Sequence, residues 1–477
     1  MKDTAILWFR NDLRLHDNEA LTLAMSRADF VIPVYIFDPR VYQANTVHGF
    51  RKTGIHRCRF MIECIRDLRE NLKKRGANLL VRVGFPEDEI TKIAEEFRTS
   101  WVFCNRERTH EEVKVQDALE KKLWGLGQEL VYVRGKMLFY TSDLPFPISH
   151  TPDTFTSFRK EVENFVPVRQ PLPTPDSIPI PGENINWGNI PTLEDFDFTA
   201  EVFSYQPTKF VGGETNALKQ LNYYLWETDN IARYKETRNE LLGWDFSSKL
   251  SAWLAAGTIS PKTIYHEVKR YEKERRSNES TYWLIFELLW RDFFRLMGKK
   301  YGNKIFKLSG TADGYAPDRI DLVLFEKWAS GYTGVPFIDA NMRELNATGF
   351  MSNRGRQNVA SFLVKDMKLN WLMGAMYFES MLIDYDPCSN YGNWNYVAGV
   401  GSDPRENRYF NILSQAKRYD PQAEFIKHWI PEVSKLPLEY VFAPYEMSLT
   451  EQQKYNFLLG RDYPDICIPV PKWKTSS

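Results

Sequence analysis

Short apolar runs at residues 5–9 (AILWF), 30–37 (FVIPVYIF), 78–83 (NLLVRV), 101–104 (WVFC) and 129–133 (ELVYV) alternate with helical patterns. In the clearest of those patterns, Ile55 to Lys74, residues Ile55, Ile62, Ile65, Leu68 and Leu72 recur on one face at helical spacing. Strand, helix, strand alternation predicts an α/β domain over residues 1–130: a doubly wound, five-stranded parallel sheet with helices on both sides. Proline then follows proline from Pro145 to Pro191, which blocks long helices and predicts a surface connector over residues 131–211. From residue 212 to 477 the pattern turns helical, with Thr215, Ser260-Pro261 and Gly334 as caps or breakers, so the second domain is expected to be all-α. A chain of 477 residues exceeds the usual single-domain size, and two domains with large cores are expected.

Composition narrows the function classes. Lys plus Arg equals Asp plus Glu at 62 each, so any nucleic-acid footprint must be a local patch rather than the whole surface. Aromatics reach 14%, including 14 tryptophans, most of which are expected to pack the core. Five cysteines are scattered without a CxxC pair or a secretory leader, which implies reduced thiols, a cytoplasmic protein and no zinc site. No apolar stretch approaches the roughly 20 residues that a membrane span needs. The sheet region has neither GxGxxG nor GxxxxGK[ST], so the usual dinucleotide and P-loop devices are absent. After the first strand comes RNDLRLHDNEAL, where Arg10, Asp12, Arg14 and Asp17 are expected to form a salt-bridge lattice holding the loop.

Three segments carry candidate chemistry. In DYDPCSNYGNWNY, Asp384 and Asp386 stand two apart and are expected to aim both carboxylates at one partner, while Pro387 argues against a continuous helix through them. Asn390 can donate and accept, and Trp394 and Tyr396 offer π-faces to a planar ligand; an acidic, aromatic surface loop is the plainer alternative. In SSKLS, Ser247, Ser248, Lys249, Leu250 and Ser251 set hydroxyls, an ammonium and backbone amides ahead of a helical run, which suits a diphosphate, although serine-rich helix starts usually only cap. Glu287 and Trp290 share a helical face beside Arg291, either as a pocket for a flipped base or as an ordinary amphipathic helix.

The runs WFRNDLRLHDNEAL, SSKLSAWLAAGTISP, WLIFELLWRDFFRLM and GVPFIDANMRELNATGFMSNRGRQNVASFLVKD, in this order over nearly the whole chain, resemble the photolyase and cryptochrome family. The resemblance implies FAD, with its pyrophosphate on Ser247–Ser251 and Tyr234 alongside. It sets Arg356 and Asp384 beside the isoalloxazine ring, with Asp386, Arg291 and Asn353 in the same cofactor site. Asn390 then faces the central-ring nitrogen, where an amide carries no charge to oppose a reduced, anionic flavin. Trp394, Trp371 and Trp328 match a chain that passes electrons from the surface to the flavin. On the substrate side the resemblance implies Glu287 and Trp290 around a flipped nucleotide, Arg291 and Arg354 at phosphates, and Asn353 at the lesion's carbonyls. Glu287, Asn353 and Asn390 are the implied catalytic residues.

Relatives that repair (6-4) lesions place two histidines four apart in the matching segment; here Asn353 and Gln357 stand there and none of the seven histidines is near. Tyr396 replaces a usual second stacking tryptophan and Gln357 a common methionine. With YWLIFELLWRDFFR and NRGRQNVASFLVKDM, these make the chain look like a DASH-type cryptochrome. That branch implies repair of cyclobutane pyrimidine dimers in single-stranded DNA, a monomer, and an antenna, 5,10-methenyltetrahydrofolate, held toward Glu107. A regulatory photoreceptor without turnover is the second class left open.

Overall fold

The computed structural model describes residues 3–182, 184–198, 209–401 and 409–469. Residues 183 and 199–208 of the expected connector and residues 470–477 of the expected helical domain lie outside the described residues.

The five apolar runs form β1 (Thr4–Phe9), β2 (Phe30–Phe37), β3 (Leu80–Val83), β4 (Trp101–Asn105) and β5 (Glu129–Val133). All pair in parallel in the order β3-β2-β1-β4-β5. The order reverses between β1 and β4, as in doubly wound folds. Alternation along β1 serves both faces. Ile6 and Trp8 pack with Ile90, Leu119 and Leu123 on one side. Ala5, Leu7 and Phe9 pack with Ile65 and Leu68 of the helix Ile55–Lys73 on the other.

The second of these cores does not stop at the sheet. Trp253, Leu288 and Phe293, all from the helical region, belong to the same buried cluster as Leu7 and Phe9. One core thus crosses the boundary between the sheet and the helical region, and a further cluster fills the helical region around Trp328, Leu363 and Trp371. Hydrophobic burial is area-driven and indifferent to sequence position, so a sheet face left apolar is covered by whichever helices reach it.

Polar ties across this boundary revise an expectation. Among the described residues Arg10, Asp12, Arg14 and Asp17 make no salt bridge with one another; the Arg10 amide donates to Asp12 Oδ1 at 2.7 Å. Buried Arg14 donates to the carbonyls of Gly257 (2.9 Å), Asp17 (2.9 Å) and Gly135 (3.1 Å), and Asp17 pairs with Lys262 at 2.7 Å. The Leu15 and His16 amides each donate to the Glu214 carboxylate at 2.8 Å. Thr215 is accordingly not a cap; the helix Glu214–Asn222 starts one residue earlier, after Gly213 at φ +110°. Ser260 does cap, its Oγ accepting from the Lys262 amide ahead of Pro261. All five cysteines are free thiols. Among the described residues no helix is long and apolar enough to cross a membrane, and no cluster of metal-ligating groups occurs.

Candidate functional site

A cavity of about 480 Å³ opens in the helical region, and most of the residues singled out in the sequence converge on it. Its walls include Tyr234, the whole Ser247–Ser251 segment, Glu287, Trp290 and Arg291. Asn353, Arg356, Gln357, Asp384, Asp386, Asn390, Trp394 and Tyr396 complete it. Arg354, Trp328, Trp371 and Glu107 do not line it.

Two segments build the inner end. Ser247–Ser251 leads into the short helix Ser251–Ala256, with Lys249 at φ +58°. A lysine in the left-handed region is a sparsely populated conformation that surrounding structure must enforce. Its ammonium lies 3.4 Å from the Phe246 ring centroid and 4.5 Å from that of Phe350. Lys249 is only 4% exposed and makes no ion pair among the described residues. Burial pulls its pKa down to about 7, against the opposing charge of Glu344. Burial likewise pushes Glu344 up to about 8, and its Oε2 finds no hydrogen-bond partner.

The second segment enters the helix Pro387–Ala398, with Pro387 in its first turn as its fixed φ favours. Asp386 caps that helix, Oδ1 accepting from the Ser389 amide at 2.8 Å, while Oδ2 takes Arg295 at 3.0 Å. Although burial opposes it, Arg295 and Arg291 hold this carboxyl down at about 2. Asp384 turns to a different arginine, Arg356, at 2.8 Å. The expectation that the two acids face one partner is thus overturned: Asp386 is committed to the cap and to Arg295, and Asp384 pairs with Arg356. The Asp384 Oδ1 is buried with no protein partner. Asn390 is anchored through Nδ2 to the Ala375 carbonyl at 3.0 Å, leaving its Oδ1 as the end turned away from that anchor.

An isolated buried cation and an orphaned buried carboxylate oxygen on one cavity ask for a ligand with an anionic stretch and ring N–H donors. A flavin dinucleotide, with its diphosphate and isoalloxazine, has both. The residues present therefore fit the expected FAD: Lys249 and the neighbouring hydroxyls for the diphosphate, Asp384, Arg356 and Asn390 for the ring.

At the mouth, Glu287 and Trp290 project from the helix Glu279–Tyr301. Half-buried Glu287 pairs with Arg238 at 2.6 Å, although burial still raises its carboxyl pKa above the ordinary range. One face of Trp290 is stacked on Phe155 (3.8 Å, 8°), and Tyr396 stands nearly perpendicular to it (5.9 Å, 80°). Those two rings make an angled wedge of the kind that takes bases. Asn353, exposed, opens the helix Asn353–Ser361, which Ser352 caps. Arg354, outside the lining, donates to Gln357 Oε1 (2.9 Å) and Asn239 Oδ1 (3.1 Å) and lies over the Tyr419 ring. Arg291 departs from expectation. Its guanidinium donates to the carbonyls of Lys136 (2.9 Å) and Leu254 (3.3 Å) and its side chain is 12% exposed, which removes it from contact with DNA phosphates.

The three tryptophans also need correction. Trp328, Trp371 and Trp394 are 0%, 0% and 2% exposed, so none supplies a surface end. Trp328 faces inward from the helix Leu322–Ser330 and donates Nε1–H to the Val359 carbonyl at 3.0 Å; Trp371 does the same to Leu308 at 3.0 Å. Trp394 presses against Gly374, where a Cβ would collide with its ring. Glu107 is buried and ion-paired to Lys136; burial raises its pKa, but Lys136, Arg10 and Arg295 outweigh that and keep it ionised.

Sequence reasoning missed Arg238, which lies four residues after Tyr234 and so on the same helical face, a signal that was available. It also missed Phe155, a connector residue with no local mark of its role beneath Trp290.

Residues 5–176 match the sequence profile described as DNA photolyase, and residues 283–476 match that described as the FAD binding domain of DNA photolyase. The chain is 48% identical to a Cryptochrome DASH of Synechocystis sp., over 98% of this chain and 95% of that relative. It is 47% identical to a Cryptochrome DASH of Xenopus laevis, over 98% of this chain and 90% of the other. The solved structure of the Synechocystis sp. PCC6803 cryptochrome superposes with a TM-score of 0.94 at 48% identity, covering 98% of this chain and 96% of that one. A class III photolyase from Agrobacterium tumefaciens gives a TM-score of 0.84 at 28% identity, covering 99% and 96%.

Proposed function

This chain belongs to the photolyase and cryptochrome family, among the DASH cryptochromes, and from that premise we propose that it is a blue-light-driven, FAD-dependent lyase of cyclobutane pyrimidine dimers, acting preferentially in single-stranded DNA. The observation carrying this reading is one cavity whose inner end is polar and undersatisfied and whose mouth is an aromatic wedge beside a carboxyl. Reduced FAD, when bound, supplies the electron that lets the cyclobutane ring split and takes it back afterwards.

The chain's own residues bind, orient and exclude water. Lys249 neutralises the diphosphate, and the Arg356–Asp384 pair brings positive charge and a fixed acceptor to the ring. Asn390 meets the ring without a formal charge. Trp290, backed by Phe155, and Tyr396 receive the flipped bases, while Glu287 and Asn353 hydrogen-bond the pyrimidine edges. Tyr396 is a smaller wall than a second indole. Less stacking energy is then available to offset unpairing a duplex, which supports the single-strand preference.

As antenna we propose 5,10-methenyltetrahydrofolate against Glu107, whose ionised carboxylate is the acceptor a pterin's aminopyrimidine edge requires. A cytoplasmic monomer is proposed with it. The test is illumination of the reduced protein with dimer-containing oligothymidine, following recovery of thymine absorbance. Absent recovery on single strands, in protein that holds and photoreduces flavin, would favour a light sensor instead.

A further inference from the structure

Support behind Asp384 comes from across the boundary between the sheet and the helical region. Tyr385 lines the cavity between Asp384 and Asp386, and the guanidinium of Arg57 lies over its ring, 4.6 Å from the centroid. Arg57 belongs to the helix Ile55–Lys73 of the sheet domain, which is seated on the helix Trp371–Met381. At that seam the Gly54 amide donates to the Ser380 carbonyl at 2.9 Å, and a Cβ on Gly54 would fall 2.5 Å from the same oxygen. Only glycine permits so close an approach, so the packing of the two regions fixes where Arg57 meets Tyr385.

A cation is costly at this place. Arg57 is only 8% exposed, makes no ion pair among the described residues, and stands in the first turn of its helix, where the helix dipole opposes a positive charge. Its donors end on uncharged groups: the carbonyls of Lys52 and Glu379 and the Thr53 hydroxyl, the last at 3.0 Å. The Glu379 carboxyl acts on Arg57 without pairing with it; burial raises the pKa of that acid above the ordinary range, and its Oε2 accepts from the Tyr391 phenol at 3.2 Å. A guanidinium stays protonated in such surroundings, so the charge is left largely uncompensated behind one wall of the cavity. The Arg356–Asp384 pair, by contrast, matches one cation with one carboxylate.

We propose that Arg57 is a positioning residue for the flavin: it holds Tyr385, and with it the adjoining Asp384, against the ring, and its unmatched charge stabilises negative charge on that ring. The inference rests on the flavin reading above. Across a single aromatic side chain in a water-poor interior, a fixed charge is screened far less than it would be at the surface. A positive charge there favours the reduced, anionic ring over the neutral oxidised one and so raises the potential at which the flavin is reduced. The sheet domain thereby takes part in setting the state of a cofactor held by the helical region.

The test is a redox titration of the flavin-loaded protein, with FAD affinity measured in parallel, in the wild type and in Arg57→Met, Arg57→Lys and Tyr385→Leu. Arg57→Met should move the midpoint potential of the bound flavin to more negative values, and Arg57→Lys, which keeps the charge, should restore most of it. Tyr385→Leu removes the ring but leaves the charge; it should weaken FAD binding and shift the potential less than Arg57→Met does. A potential unchanged in Arg57→Met, or shifted as far in Arg57→Lys as in Arg57→Met, would overturn the role of the charge. Wild-type FAD affinity in Tyr385→Leu would overturn the role of the ring. Should Arg57→Met fail to fold, Arg57→Gln, which keeps a donor for the carbonyls, decides on the same terms. Wild-type protein that holds no flavin would overturn the reading of the cavity, and this inference with it.

Discussion

Lys249 offers the sharpest test of the cavity, because its protonation is coupled to what binds there. In the flavin-free site burial lowers its pKa from the ordinary 10.5 to about 7. At pH 8 only about a tenth of the molecules then carry the charge. A bound diphosphate restores the reason to be charged and returns the pKa toward its ordinary value. Binding should therefore take up ~0.9 proton at pH 8 and ~0.5 at pH 7. The sign is definite: a pKa raised on binding makes affinity fall as pH rises, by roughly tenfold per unit between the two values. Glu344, pushed up to about 8 by burial, also titrates in this range, so the measurement belongs in a Glu344→Gln background, where loss of its charge lowers Lys249 further and makes these uptakes lower bounds. Asp245, Arg356 and Asp384 are the other charges acting on the group. Titration calorimetry of the flavin-free protein with FAD, in buffers of different ionisation enthalpy, counts the protons. Lys249→Met should abolish the uptake and weaken FAD by roughly 2 kcal/mol, about 30-fold, as expected for losing one charge-assisted contact. No proton uptake and a flat affinity from pH 7 to 9 would refute the assignment of Lys249 to the diphosphate.

Other outcomes follow from individual contacts. Asp386→Ala removes a helix cap worth ~1 kcal/mol and breaks a buried pair at a cost of ~3–5, whereas Asp386→Asn keeps the cap; urea titration should rank alanine below asparagine below wild type. Because the folded carboxyl sits at about 2 against an ordinary 3.8, its contribution, on the order of 2 kcal/mol, is present above pH ~4 and is lost as pH falls through 2; Asp386→Asn should show a flatter stability profile over that range. Trp290→Ala should weaken dimer-containing oligothymidine by ~1–3 kcal/mol per stacked base in fluorescence anisotropy, with Trp290→Phe in between. Asn390→Asp should halt light-driven reduction one electron short, visible as an absorption spectrum that stops changing early during illumination.

Much of this site is legible along the chain. The short continuous apolar run of β1 and the 3.6-residue spacing in Ile55–Lys73 reflect local backbone geometry, so strands and helices announce themselves within a few residues. SSKLS and DYDP likewise display their chemistry locally: a lysine among hydroxyls, and an acid placed to cap a helix that proline begins. Partner choice is different. Asp384 and Asp386 are neighbours in sequence, yet they bind Arg356 and Arg295, which lie 28 and 91 residues away. Glu107 meets Lys136, Trp290 rests on Phe155 from the connector, and Trp328 turns inward against Trp394 and Tyr377. No local pattern distinguishes a buried indole from an exposed one when both sit in amphipathic helices. The residue types, their spacing and the elements they form were therefore determined by the sequence, because short-range sterics and hydrogen bonding act along the chain. The cavity, its isolated charge and its ring contacts were decided only by the tertiary structure, because burial and ion pairing depend on distance in space, which the folded core alone sets.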